Sequence, residues 1–182
     1  CKKYILKLVY ISTDYVFDGK SGPYSEDAIP DPINVYGKTK LEAENLVKTL
    51  DKHLIIRATN VFDWGFDEKN FVYRAITTFK KGETLKTPTD QYATPCLSTN
   101  LAEFVKELLK NNKNGIYNVA IKDRLSRYEL ALKIADYFNL NKSLVIGITT
   151  EELKQVANRP RQGGLRIEKI KSECKTKTLD IN

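Results

Sequence analysis

The sequence predicts an α/β fold built on a parallel sheet. Short runs of β-forming residues, such as ILKLVYI (Ile5 to Ile11) and GIYNVAI (Gly115 to Ile121), alternate with stretches of helical periodicity. The first run is nearly all apolar, as strands buried on both faces are. Polar residues follow it at once, with Ser12 and Thr13 at the carboxyl end, the edge where open α/β sheets bind ligands.

The elements follow in order. Ile5 to Ile11 is the first strand. Asp18 to Pro32 contains Gly19, Gly22, Pro23, Pro30 and Pro32 and reads as a long loop. Val35 to about Leu50 is helical, with Leu41, Leu46, Val47 and Leu50 on one stripe. His53 to Phe62 (HLIIRATNVF) is the next strand and carries polar Thr59 and Asn60 near its end. Asn70 to Lys81 is a helix with Phe71, Val72, Ala75, Ile76 and Phe79 inward. Thr84 to Cys96 reads as extended and irregular, and Asn100 to Leu109 as a helix. Gly115 to Ile121 is a strand. Ser126-Arg127-Tyr128-Glu129 is a capping box that opens a helix to about Phe138, and Thr149 to Glu152 repeats the signature. Leu144 to Ile148 is a short strand between them. The segment from Asn158 onward shows no periodicity that assigns it.

Composition narrows the function. The chain has 182 residues, 41% hydrophobic and 29% charged, as in ordinary globular proteins. No apolar run approaches the ~20 residues of a membrane span, and no signal-peptide pattern opens the chain. Cys1, Cys96 and Cys174 are far apart, which argues against a disulfide framework and a zinc cluster. A reducing, cytoplasmic setting is expected. With His53 as the one histidine, Ser-His-Asp catalysis and His-rich metal sites are disfavoured, and no metal site is expected. The net charge of +7 fits a solvated lysine-rich surface or an anionic ligand. No nucleic-acid motif accompanies it. The chain begins at Cys1 and contains no methionine, which predicts a fragment or a sequence with residues missing.

The chemistry concentrates in STDYVFDG (Ser12 to Gly19) and NVYGKTK (Asn34 to Lys40). Tyr36 and Lys40 are four apart on a predicted helix and so share a face. An ammonium beside a phenol favours the ionised phenol. A hydroxyl, a phenol and a lysine together suit proton transfer to a carbonyl oxygen while a hydride reaches the carbon. Thr13 is the candidate hydroxyl. Arg159 and Arg161 are surface charge or phosphate ligands, because guanidinium binds phosphate oxygens bidentately.

STDYVFDG, a proline loop ending in YGKTK, and the strand RATNVF (Arg57 to Phe62) resemble the extended short-chain dehydrogenase/reductases, most closely the dTDP-4-dehydrorhamnose reductase subgroup. The match is dense from Val9 to Phe62 and looser through Gln91 to Pro95, Gly115 to Ala120 and Asn158 to Pro160. The resemblance implies a Rossmann-type doubly wound parallel sheet with a small substrate-binding lobe. It implies an oxidoreductase that uses NADPH or NADH to reduce the 4-keto group of a dTDP-deoxysugar, dTDP-4-dehydrorhamnose to dTDP-L-rhamnose. Thr13, Tyr36 and Lys40 are then catalytic, with Tyr36 the proton donor. Ser12, Tyr36, Lys40 and Thr59 bind the cofactor, and Thr13, Asp14, Tyr15, Asn60 and Arg159 face the substrate.

Three features depart from that family. No GxxGxxG or GxGxxG occurs, so the half of the fold that carries the phosphate loop is expected to be absent. Asn60 stands where many members carry a tryptophan that packs on the sugar. The interval from Thr13 to Tyr36 is one residue short of the usual spacing. Residues 1–140 are assigned to the carboxyl-terminal part of the dinucleotide domain with interleaved lobe segments, and 141–182 mainly to the lobe. A nucleotide-sugar epimerase or dehydratase of the same fold is the alternative enzyme. A non-catalytic regulatory subunit of the methionine adenosyltransferase type is the alternative from another class. A homodimer is compatible with the family.

Overall fold

The computed structural model describes residues 1–4, 6–63 and 70–181. Its elements are β1 (Leu8–Thr13), α1 (Val35–Lys48), β2 (His53–Ala58), β3 (Val61–Phe62), α2 (Phe71–Lys80), β4 (Leu85–Pro88), β5 (Tyr92–Ala93), β6 (Cys96–Leu97), α3 (Ser98–Lys110), β7 (Gly115–Asn118), β8 (Leu125–Ser126), α4 (Arg127–Tyr137), β9 (Val145–Ile148), α5 (Thr150–Leu153) and α6 (Glu168–Glu173).

The central sheet is parallel, in the order β1-β2-β7, with β1 at its edge. β2 is the middle strand and is buried from Leu54 to Ala58. Leu54, Ile56, Phe104, Leu108, Tyr117, Val119, Ile167 and Ile170 form one packed cluster with it. A second cluster joins α2 and α4, through Val72, Ala75, Phe79, Leu130, Ala131 and Ile134, to Val145 of β9. β9 pairs in parallel with β4. The two clusters are interleaved along the chain, and Ile167 and Ile170 return the last helix to the central sheet.

The α/β class and the parallel sheet are as the alternation predicts. Several boundaries differ. Ser12 and Thr13 belong to β1, and Ile5, the first residue of the expected strand, lies outside the described residues. The strand expected over His53 to Phe62 is broken in two. Asn60 adopts φ +45, a left-handed conformation that asparagine tolerates better than most side chains. The chain leaves the central sheet there, and β3 pairs with β6. The stripe expected on α1 also differs. Leu46 is 72% exposed, while Glu44 on the buried face is fully covered. Apolar periodicity could not show that the inward position is filled by a carboxylate with a partner. Both capping boxes form. Ser126 Oγ accepts from Glu129 N at 3.1 Å and Thr149 Oγ1 from Glu152 N at 3.2 Å.

Candidate active site

β1, β2 and α1 converge on a cavity of about 630 Å³ at the carboxyl end of the sheet. The strand ends supply Ser12, Thr13, Thr59 and Asn60, and the first turns of α1 supply Tyr36 and Lys40. Asn34 starts this helix. Its Oδ1 accepts from Gly37 N at 2.8 Å, and its Nδ2 donates to Asn158 O at 2.8 Å. Gly37 lets the helix seat closely, since a Cβ there would lie 2.1 Å from Tyr15 O. The Tyr36 ring therefore meets the Tyr15 ring edge-on, with centroids 5.7 Å apart.

Tyr36 is 51% exposed, so its hydroxyl is open to the cavity rather than consumed by the core. Lys40 Nζ donates to Ile11 O at 2.9 Å and sits 6.0 Å from the Tyr36 ring centroid. Thr13 Oγ1 accepts from Tyr15 N at 3.2 Å and lies 3.4 Å from Asp14 Oδ1. The second contact is too long to hold the hydroxyl proton firmly, leaving it able to turn to another acceptor. Tyr15 OH accepts from Arg159 Nη1 at 3.0 Å.

Of the residues singled out by sequence, Ser12, Thr13, Tyr15, Tyr36, Lys40, Thr59, Asn60 and Arg159 all line this cavity. Asp14 does not. It is buried behind the wall, where its carboxylate accepts from Gly164 N at 3.2 Å and hydrogen-bonds Thr59. Burial raises its pKa, although these hydrogen bonds oppose the shift. A carboxyl raised on folding binds more protons folded than unfolded. Its contribution to stability is therefore present below the ordinary value of 3.8 and lost as pH climbs through the folded value. Asp14→Asn is accordingly expected to gain in melting temperature relative to the parent over the pH window that opens above 3.8. A melting difference that is flat across that window would refute the assignment.

One residue of the site escaped the sequence reading. Arg127 lines the cavity, and its Nη2 donates to Asn60 Oδ1 at 2.6 Å. Its guanidinium carbon lies 4.8 Å from the Phe71 ring centroid. Burial lowers its pKa, and the like charges of Arg159 and Arg74 act in the same direction. In sequence it is one basic residue inside a capping box. Only the placement of the first turn of α4 beside Asn60, a contact between residues 67 apart in sequence, brings it to the site.

Arg127 and Arg159 also border a second cavity of about 410 Å³, together with Arg74, Lys86, Thr87, Gln91 and Gln155. No carboxylate is among its described lining residues. Among the described residues, Arg159 Nε and Thr87 Oγ1 are buried without a hydrogen-bond partner. Buried polar atoms left unpaired are rare and costly, and they mark places where another molecule can complete the bonding. Convergent cations facing such atoms form a receptor for an anion.

Among the described residues no group of three or more His, Cys, Asp or Glu is placed to hold a metal ion. Among them no helix is long and apolar enough to cross a membrane.

The family model of the RmlD substrate binding domain matches residues 1–180. The chain belongs to this family. Among relatives of this RmlD-domain chain, the dTDP-4-dehydrorhamnose reductase of Aggregatibacter actinomycetemcomitans is 35% identical over 90% of this chain and 59% of its own length. The methionine adenosyltransferase 2 subunit beta of Danio rerio is 32% identical over 90% of this chain and 53% of its own. The crystal structure of the Bacillus anthracis dTDP-4-dehydrorhamnose reductase in complex with NADP superposes with a TM-score of 0.89, at 31% identity, over 96% of this chain and 62% of that one. This RmlD-domain chain thus spans just over half to about three-fifths of the length of these relatives. The Rossmann-type fold expected from STDYVFDG and YGKTK is shown by these neighbours.

Proposed function

We propose that the chain carries the carbonyl-reducing centre of an NAD(P)H-dependent oxidoreductase. Its substrate is a dTDP-linked deoxysugar reduced at the 4-keto group, as in dTDP-4-dehydrorhamnose to dTDP-L-rhamnose. One observation carries the proposal. Thr13, Tyr36 and Lys40, picked out by sequence spacing, line one cavity at the carboxyl end of β1 and α1's first turns.

The roles follow from the chemistry of the groups. Tyr36 donates the proton to the carbonyl oxygen, and the loosely held Thr13 hydroxyl donates a hydrogen bond to that oxygen. Lys40 places an ammonium beside the phenol and offers further donors to ribose hydroxyls. Ser12 and Thr59 border the same space. A bound nicotinamide supplies the hydride. These donors fit its ribose end. The chain has no glycine-rich phosphate loop for the far end of a dinucleotide.

The acceptor sugar lies against Tyr15 and Asn60, and its diphosphate lies toward Arg127 and Arg159, where two cavities share a wall of positive charge. Arg127→Met is expected to raise the KM for the dTDP-sugar by about ten- to a hundredfold, the loss of one charge-assisted contact. A dTDP-sugar titration with unchanged KM would place the diphosphate elsewhere.

The deciding experiment is NADPH oxidation with dTDP-4-dehydrorhamnose by the protein that carries this chain. Turnover supports the reading. NADPH binding with no reduction of the sugar nucleotide would sink it. The second reading, a regulatory subunit, is favoured by the 32% identity to a methionine adenosyltransferase subunit beta. Co-purification with a synthetase partner and no turnover would select it.

A further inference from the structure

α1 carries Tyr36, Lys40 and Glu44 at successive intervals of four, so all three share one face. That face lies along β1 and its continuation. Tyr36 meets Tyr15, Lys40 Nζ bonds Ile11 O, and Glu44 Oε1 accepts from Ser12 Oγ at 2.6 Å. Glu44 is in turn held by Arg57, which stands opposite Ser12 in the β1–β2 register. Arg57 donates from Nε at 2.9 Å and from Nη2 at 2.7 Å, one bond to each carboxylate oxygen. Its Nη1 donates to Glu26 O at 3.2 Å, and Phe17 stacks under its guanidinium at 5.0 Å. The two side chains are 0% and 1% exposed. One buried arginine thus ties β2, α1 and the loop after β1 together.

A buried ion pair is a weak source of stability, because desolvation offsets the attraction and an apolar pair of like volume often serves as well. An apolar pair cannot fix the helix along the strand. A bidentate fork and a short bond to Ser12 can, because their geometry is directional. Placement matters here. An error of about 1 Å in reacting groups can cost about a hundredfold in rate.

We infer that Arg57, Glu44 and Ser12 form a clamp that sets Tyr36 and Lys40 against Thr13. Glu44 and Arg57 are positioning residues that act through the helix and touch no substrate. This inference rests on the reductase reading for its effect on rate, but not for its effect on Lys40.

The test uses Glu44→Gln/Arg57→Met, which removes both charges together, and Ser12→Ala, which cuts the tie and leaves the ion pair in place. Acetylation of each lysine is followed by mass spectrometry, beside thermal melting and steady-state kinetics. Lys40 is expected to react several-fold faster in both folded variants, while exposed Lys38 and Lys110 keep their parent rates. The double variant should lose about tenfold or more in kcat at nearly constant KM. A general loosening would instead accelerate all three lysines and would overturn the clamp. So would parent-like Lys40 reactivity in a folded variant. A parent protein without turnover would refute the reductase reading alone, and the labelling would still decide the clamp.

Discussion

Tyr36→Phe is expected to lower kcat by about 10²- to 10⁴-fold, the range for loss of a positioned general acid. The substitution deletes one oxygen from a half-exposed ring, so the edge contact with Tyr15 and the seat of Gly37 are untouched. KM for the sugar nucleotide should stay within a few-fold, since the ring still fills its place on the cavity wall. The measurement is steady-state oxidation of NADPH, with the thermal melt of the same preparation as the folding control. A variant that melts like the parent and turns over at the parent's rate would remove Tyr36 from the chemistry. Loss of both stability and rate would point to a structural role for its hydroxyl.

The largest stability effect is expected at Glu44. Glu44→Ala leaves the Arg57 guanidinium buried, with Glu26 O as its remaining hydrogen-bond acceptor among the described residues. Breaking one side of a buried pair costs about 3–5 kcal/mol, because the surviving charge is desolvated without compensation. For a chain of this size each kcal/mol moves the melting temperature by roughly 2–4 °C. Denaturant melts of Glu44→Ala and of Glu44→Gln/Arg57→Met separate the two contributions. The single variant should be markedly weaker than the neutral double variant. Equal stability of the two would mean that water reaches Arg57 and that the pair is not desolvated.

The sequence carried the local half of this site. Tyr36 and Lys40 were legible because a four-residue spacing on a helix fixes their relation without any tertiary knowledge. Thr13 and Thr59 were legible because polar residues ending apolar strands fall at the ligand-binding edge. What stayed hidden depended on partners distant in sequence. Glu44 reads as a solvent-facing acid until Arg57, thirteen residues later, is seen to face it. Arg127 reads as a capping-box residue until its bond to Asn60 is known. Asp14 follows Thr13 directly, yet the 3-10 turn over Asp14–Val16 carries its carboxylate inward to Gly164, a contact spanning 150 residues. Short pieces such as β3 and β6 lack the length for periodicity to show, and they exist because they find each other.

The edge position of β1 has a practical consequence. One side of Leu8–Thr13 is satisfied by β2, and among the described residues no strand pairs with the other side. Ile11 on that strand is 42% exposed. Such an edge is a template for intermolecular pairing, and natural proteins blunt it with charge, bulges or a covering segment. Preparations of this polypeptide by itself should therefore self-associate as concentration rises, growing strand against strand in a way that dilution reverses slowly. A lysine in place of Ile11 would act as a gatekeeper and keep the solution clear.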